Sequence, residues 1–222
     1  MNQHRWLQPS CRLPRKWGDA SGFTLIEVLV AIVVLSFGML GMVGVQAFAL
    51  QANRDARLQS QAASLSRELA EMMRGNNIVA VKTSATDNPY LRTSSTAIPA
   101  DSCLGVANSS SGCSTAKDVA ESEMMDWLSR VNTALPGAVV VVCFDKTPYD
   151  SDGLPKWSCS EPTGSSDPDR IAMIKIGWTR NSLDRTKTGV DAIERADASS
   201  SSSRPIIVTS VTGGNPLSTA TP

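Results

Sequence analysis

Histidine is almost missing from this chain. One, His4, stands among 222 residues, ahead of every other notable feature. A Ser-His-Asp or Cys-His arrangement in the body of the protein is therefore excluded. No C-x-x-C spacing occurs, so a zinc site built on paired cysteines has no starting point. There is no G-x-x-x-x-G-K-[ST], and no G-x-G-x-x-G follows a strand pattern, which removes the usual phosphate cradle and dinucleotide fingerprint. An excess of one charge is also lacking: 21 basic residues balance 21 acidic ones. With no basic face, nucleic acid is not an expected partner. The chain reads as a non-enzyme without a cofactor.

What it does have is a long apolar run. From Phe23 to Asn53 there are 31 residues with Glu27 as the only charge, whereas roughly 20 apolar residues span a bilayer. Before the run stand Arg5, Arg12, Arg15 and Lys16 against Asp19, a net of +3, a bias that keeps the N-terminal side cytoplasmic. From Phe23 onward 17 basic groups face 20 acidic ones. A basic leader thus precedes a mildly acidic body. An ordinary secretory signal would use Ala47-Phe48-Ala49 as its A-x-A site, but the apolar run is about twice the 7–15 residues of a typical signal core. A plain uncleaved anchor explains the length and leaves Glu27 unexplained, because an acid deep in a bilayer costs roughly 2.5–3.5 kcal/mol on insertion scales. Such a residue calls for a partner.

The stretch Gly22-Phe23-Thr24-Leu25-Ile26-Glu27 resembles the processing site of type IV prepilins. The resemblance implies that residues 1–22 form a leader cut between Gly22 and Phe23 by a prepilin peptidase, that Phe23 becomes N-methylated, and that Glu27 pairs with the terminal amine of a neighbouring subunit. The cost of burying Glu27 is then offset by that amine. More narrowly, "LVAIVVLSFGMLGMVGVQ", "RELAEMMRGN", "MMDWLSRVNTALPG" and "IKIGW" resemble the PilV family of type IV pilus minor pilins. Its members are implied to prime or cap a filament together with other minor pilins, the major pilin and the inner-membrane assembly platform, and to serve twitching motility and adhesion. Two other readings stay open: a minor pseudopilin of a type II secretion system, and a tip adhesin with its binding surface in residues 77–117 or 145–169.

The apolar helix is expected to continue beyond the membrane. Leu58, Ala62, Leu65, Leu69 and Met72 recur at helical spacing, and Gly75-Asn76 gives a stop. Residues 23–53 form the membrane and assembly half, and residues 54–76 the amphipathic half. At 1.5 Å per residue the whole helix is about 78 Å long. Gly38, Gly41 and Gly44 suit either a segment that unwinds on packing or close helix–helix approach. Residues 77–222 are expected to form a periplasmic α+β head, with the helix packed on a small antiparallel sheet. Within it, 77–117 reads as loop, Asp118–Leu135 as a second helix capped by Asp118, and "AVVVVCF" (138–144), "RIAMIKIGW" (170–178) and "RPIIVTSV" (204–211) as strands.

Cys11 falls in the leader, which leaves Cys103, Cys113, Cys143 and Cys159. Three pairings are open; the local ones, Cys103–Cys113 and Cys143–Cys159, close short Ser/Gly/Pro-rich loops and are favoured. In "DKTPYDSDG", Asp145, Asp150 and Asp152 are a candidate calcium loop through oxygen ligands, set against a polar turn. "ASSSSSRP" (198–205) reads as a flexible link, with glycosylation or partner contact left open.

Overall fold

The computed structural model describes residues 22–93, 102–104, 112–160, 170–182, 184 and 186–212. The leader, including His4 and Cys11, lies outside the described residues. The chain divides into two compact units that meet between Leu50 and Gln51. One helix, α1 (Leu25–Gly75), runs through both.

In the first unit α1 is apolar on all sides. Its large hydrophobic side chains from Phe23 to Leu50 are 45–84% exposed among the described residues. The helix is long and apolar enough to cross a membrane.

The second unit is α+β. Here α1 becomes amphipathic: Ala62, Leu65, Ser66, Leu69, Ala70 and Met73 are buried on one stripe. The stripe ends on Met73, with Met72 packed half-buried beside it. A one-turn helix α2 (Asn77–Ala80) follows, and α3 spans Ala116–Ala134. The sheet contains β1 (Val139–Phe144), β2 (Ala172–Gly177) and β5 (Ile207–Val211) in the order β1-β2-β5, all antiparallel. A small separate hairpin pairs β3 (Arg180–Asn181) with β4 (Ile193–Glu194), joined through a 3-10 turn at Gly189–Ala192.

A single core joins these elements. Leu65 and Leu69 of α1, Trp127, Leu128 and Val131 of α3, and Val140, Val142, Ile174 and Ile176 of the sheet pack into one cluster. Two polar ties fix α1 laterally. The Trp127 indole N–H donates to the Leu65 carbonyl at 2.9 Å, and the Thr209 hydroxyl of β5 donates to Ser66 Oγ at 3.0 Å. Arg130 of α3 adds an ion pair to Glu68 of α1 at 2.5 Å.

Several local features differ from the sequence reading. Helix α3 starts earlier than Asp118: Thr115 is the cap, its hydroxyl accepting from Asp118 N at 3.2 Å while Asp118 Oδ2 accepts from Thr115 N at 2.9 Å. Asp118 is thus the third-residue partner of a capping box and not the cap itself. The segment 77–93 is also more ordered than a loop. Asn88 is buried, donating to the Ala80 and Lys82 carbonyls and accepting from Tyr90 N. Arg92 forms a two-bond bridge with Val142, which shields the outer edge of β1. The two-residue strands β3 and β4 had no readable period.

After α3, Pro136-Gly137 turns the chain into β1. Gly137 adopts φ +59°, and a Cβ there would lie 2.5 Å from Thr179 Oγ1, so the turn requires glycine.

Candidate assembly site

The N-terminal site begins on an open backbone. Beyond its chain neighbours, no atom of the described residues lies within 4 Å of where a Cβ on Gly22 would stand, and Phe23 is 81% exposed. Thr24 starts the helix: its carbonyl accepts from Glu27 N at 3.0 Å and Val28 N at 3.3 Å, and its hydroxyl accepts from Glu27 N at 3.3 Å. Glu27 is therefore the third helical residue of a Thr-x-x-Glu start. A carboxylate in that first turn lies near the positive end of the helix dipole. This is a local role for Glu27 beside any intermolecular one, and the T-x-x-E pattern is its sequence signal. The carboxylate is exposed and makes no ion pair among the described residues.

Beyond Glu27, Ser36 returns its hydroxyl to the Ile32 carbonyl at 2.7 Å, which hides the one hydroxyl of the central stretch from an apolar surrounding. Gly38, Gly41 and Gly44 have open space where a Cβ would be. They leave a shallow strip on a helix whose other positions carry bulky side chains.

In the head, Cys103 is bonded to Cys113 and Cys143 to Cys159, with Cα separations of 5.1 and 6.3 Å. The first bridge is anchored to α3 through Cys103 N, which donates to Ser122 Oγ at 2.8 Å. The second ties β1 to a loop, residues 145–160, that returns across the face of the sheet opposite the core.

Beneath that loop lies a feature the sequence reading missed. Lys175, in the middle of β2, and Asp145 have fully buried side chains and pair at 2.6 Å. The Lys175 ammonium also donates to the carbonyls of Ser158 at 2.7 Å and Trp157 at 3.4 Å. The other Asp145 oxygen accepts from the backbone N–H of Thr147 and Ser160, both at 3.0 Å. Trp157 completes the cover, its indole lying where Gly177 leaves room: a Cβ on Gly177 would come within 2.8 Å of Trp157 Cζ2.

The three aspartates of 145–153 each have their own partners or stand on the surface. Asp145 points inward and is neutralised by Lys175. Asp150 accepts from the N–H groups of Asp152 and Leu154 through Oδ1 and pairs with Arg204 at 2.6 Å through Oδ2. Its carboxyl is held below the ordinary range, first by Leu154 N–H and then by Arg204 and Asp152. Asp152 remains on the surface. The three carboxylates do not converge, and among the described residues no three acidic, histidine or cysteine side chains form a metal-sized group.

Residues 18–43 match the family described as the prokaryotic N-terminal methylation motif. No curated protein and no solved structure matches the chain. The matched residues hold Gly22, Phe23, Glu27 and most of the exposed apolar stretch of α1, whose later part packs on a small antiparallel sheet. Together these support a type IV pilin-like or pseudopilin-like subunit. The motif implies processing by a prepilin peptidase, and the apolar helix suits membrane anchoring before assembly.

Proposed function

We propose that this protein is a minor pilin of the type IV pilus, of the PilV kind. The observation that carries the reading is the apolar surface of α1 from Phe23 to Leu50, exposed on every side directly behind a methylation motif. Such a surface is stable only in lipid or among helices of its own sort. The inner membrane supplies the first setting, with the head in the periplasm, and a filament core supplies the second. Prepilin peptidase cuts after Gly22, Phe23 is methylated, and Glu27 meets the Phe23 amine of a neighbour. Other minor pilins and the major pilin are the partners, met at the assembly platform, and the product primes or caps the filament. The two disulfide loops, the second of them also pinned by Lys175, give the head individual surfaces, which suits a subunit present in few copies.

The test is a clean deletion scored for surface pili and twitching motility alongside the extracellular protein profile. Loss of pili with normal secretion is expected. Intact pili with blocked secretion would move the chain to the pseudopilins.

A further inference from the structure

The head contains a cavity of about 740 Å³, bounded by Leu154 and Pro155, by the exit of β2 at Trp178, and by the stretch from Glu194 to Ile206. That is the size of a small-ligand site. Its walls are fixed by their own contacts. Arg180 pairs with Glu194 at 3.0 Å across the β3–β4 hairpin, and the Ser182 hydroxyl donates to the same carboxylate at 2.9 Å. Arg204 pairs with Asp150 at 2.6 Å and donates to the Pro155 carbonyl at 3.1 Å. Ser203 Oγ accepts from Asp197 N at 2.9 Å and from the Trp157 indole at 3.4 Å. The cavity therefore exists before any ligand arrives, and binding would order little.

Four cations line it, Arg180, Lys187, Arg195 and Arg204, against two carboxylates, Glu194 and Asp197, in a body that is otherwise mildly acidic. Arg180 and Arg204 are already paired, and Asp197 caps its own turn through Ser199. Arg195, exposed, has no ion pair or hydrogen-bonded side-chain partner among the described residues, and Lys187, which also lines the cavity, has no ion pair there and acts on the Asp184 carboxylate only at longer range. The floor is apolar, from Trp178, Pro205 and Ile206, and the rim carries the hydroxyls of Ser200 and Ser202.

We propose that this cavity binds an acidic saccharide, with Arg195 and Lys187 holding the sugar carboxylate. A guanidinium fits a carboxylate through two parallel hydrogen bonds. Serine hydroxyls and the Glu194 carboxylate match sugar hydroxyls, and the apolar floor accepts the C–H face of a ring. A nucleic acid would need a track of cations along its backbone, and Arg195 and Lys187 lie in one half-open cavity. The proposal goes beyond the filament reading and does not depend on it, because the binding is measured on the isolated protein.

The full chain in lauryldimethylamine oxide micelles, which carry no sugar, would be titrated calorimetrically with diglucuronic acid, with maltose as the neutral control and with a glutamate hexapeptide. Saturable binding of diglucuronic acid and none of maltose is expected. The Arg195→Gln/Lys187→Gln variant, unchanged in melting temperature, should bind about tenfold or more weakly, the equivalent of losing one charge-assisted hydrogen bond. Failure of the wild type to bind diglucuronic acid, or equal binding by the variant, overturns the proposal. Tighter binding of the hexapeptide also overturns it, in favour of an acidic protein partner.

Discussion

Replacing Lys175 with Met keeps most of the side-chain volume of a fully buried position and removes its charge. The Asp145 carboxylate then remains buried with two backbone donors and no counter-ion, and the Ser158 carbonyl loses its partner. Breaking one side of a buried ion pair costs about 3–5 kcal/mol. The same range follows from the two short hydrogen bonds of the ammonium, at about 1.5–3 kcal/mol each. The contact with the Trp157 carbonyl, at 3.4 Å, is too long to add much. Urea unfolding of the full chain in micelles, followed by tryptophan fluorescence, reads the loss. Trp157 covers this pair, so its emission also reports local opening of the loop. Adding Asp145→Asn removes the stranded charge while its side-chain oxygen still accepts from Thr147 and Ser160. The double variant should recover about 1–3 kcal/mol. A loss below about 1 kcal/mol for Lys175→Met, or no recovery in the double variant, would refute the view that this pair pins the loop.

Thr115→Ala removes the hydroxyl half of the α3 capping box and should cost about 1 kcal/mol, seen as a melting temperature lower by about 2–4 °C. Gly177→Ala forces a methyl against the Trp157 indole and the Ala196 methyl and should cost about 1–3 kcal/mol, read in the same unfolding assay. Tyr90 is buried and donates to Glu123, so burial first, and the Glu123 carboxylate second, push its ionisation well above the ordinary tyrosine value. Its folded pKa is raised, so its contribution is complete below the unfolded value of 10.0 and is lost as pH climbs toward the raised one. Stability measured against alkaline pH should fall in that window, and Tyr90→Phe should flatten the slope. Glu27→Ala should insert and be cleaved after Gly22 yet stay out of the assembled filament; full incorporation, scored by immunoblot of sheared filaments, would show that the acid is dispensable.

The long helix was legible because its two halves carry two different signals, an uninterrupted apolar run and then a 3.6-residue stripe ending at Gly75. The three main strands were legible from β-branched content. Lys175 was not, since in "AMIKIG" it occupies the polar place of an alternating strand, the place normally given to solvent. The outer face of the sheet is covered instead by 145–160. Two hints lay in the sequence: β1 is apolar at every position, as strands covered on both sides are, and Cys143 and Cys159 bracket the covering loop. The start of α3 was misplaced because Thr115 and Asp118 are both good caps, and only their reciprocal bonds decide between them. The cavity at Trp178 was invisible, because its walls come from segments that no periodicity or motif links.

The grip of the head on α1 is concentrated between Ala62 and Met73, with α3 holding one side through Trp127 and Arg130 and β5 holding another through Thr209. A pull along the helix axis loads these contacts in shear and all at once, so none can fail before the others carry its share. Peeling, which breaks contacts one at a time, would need a force across the axis. In its head unit the chain is therefore built to withstand tension along α1.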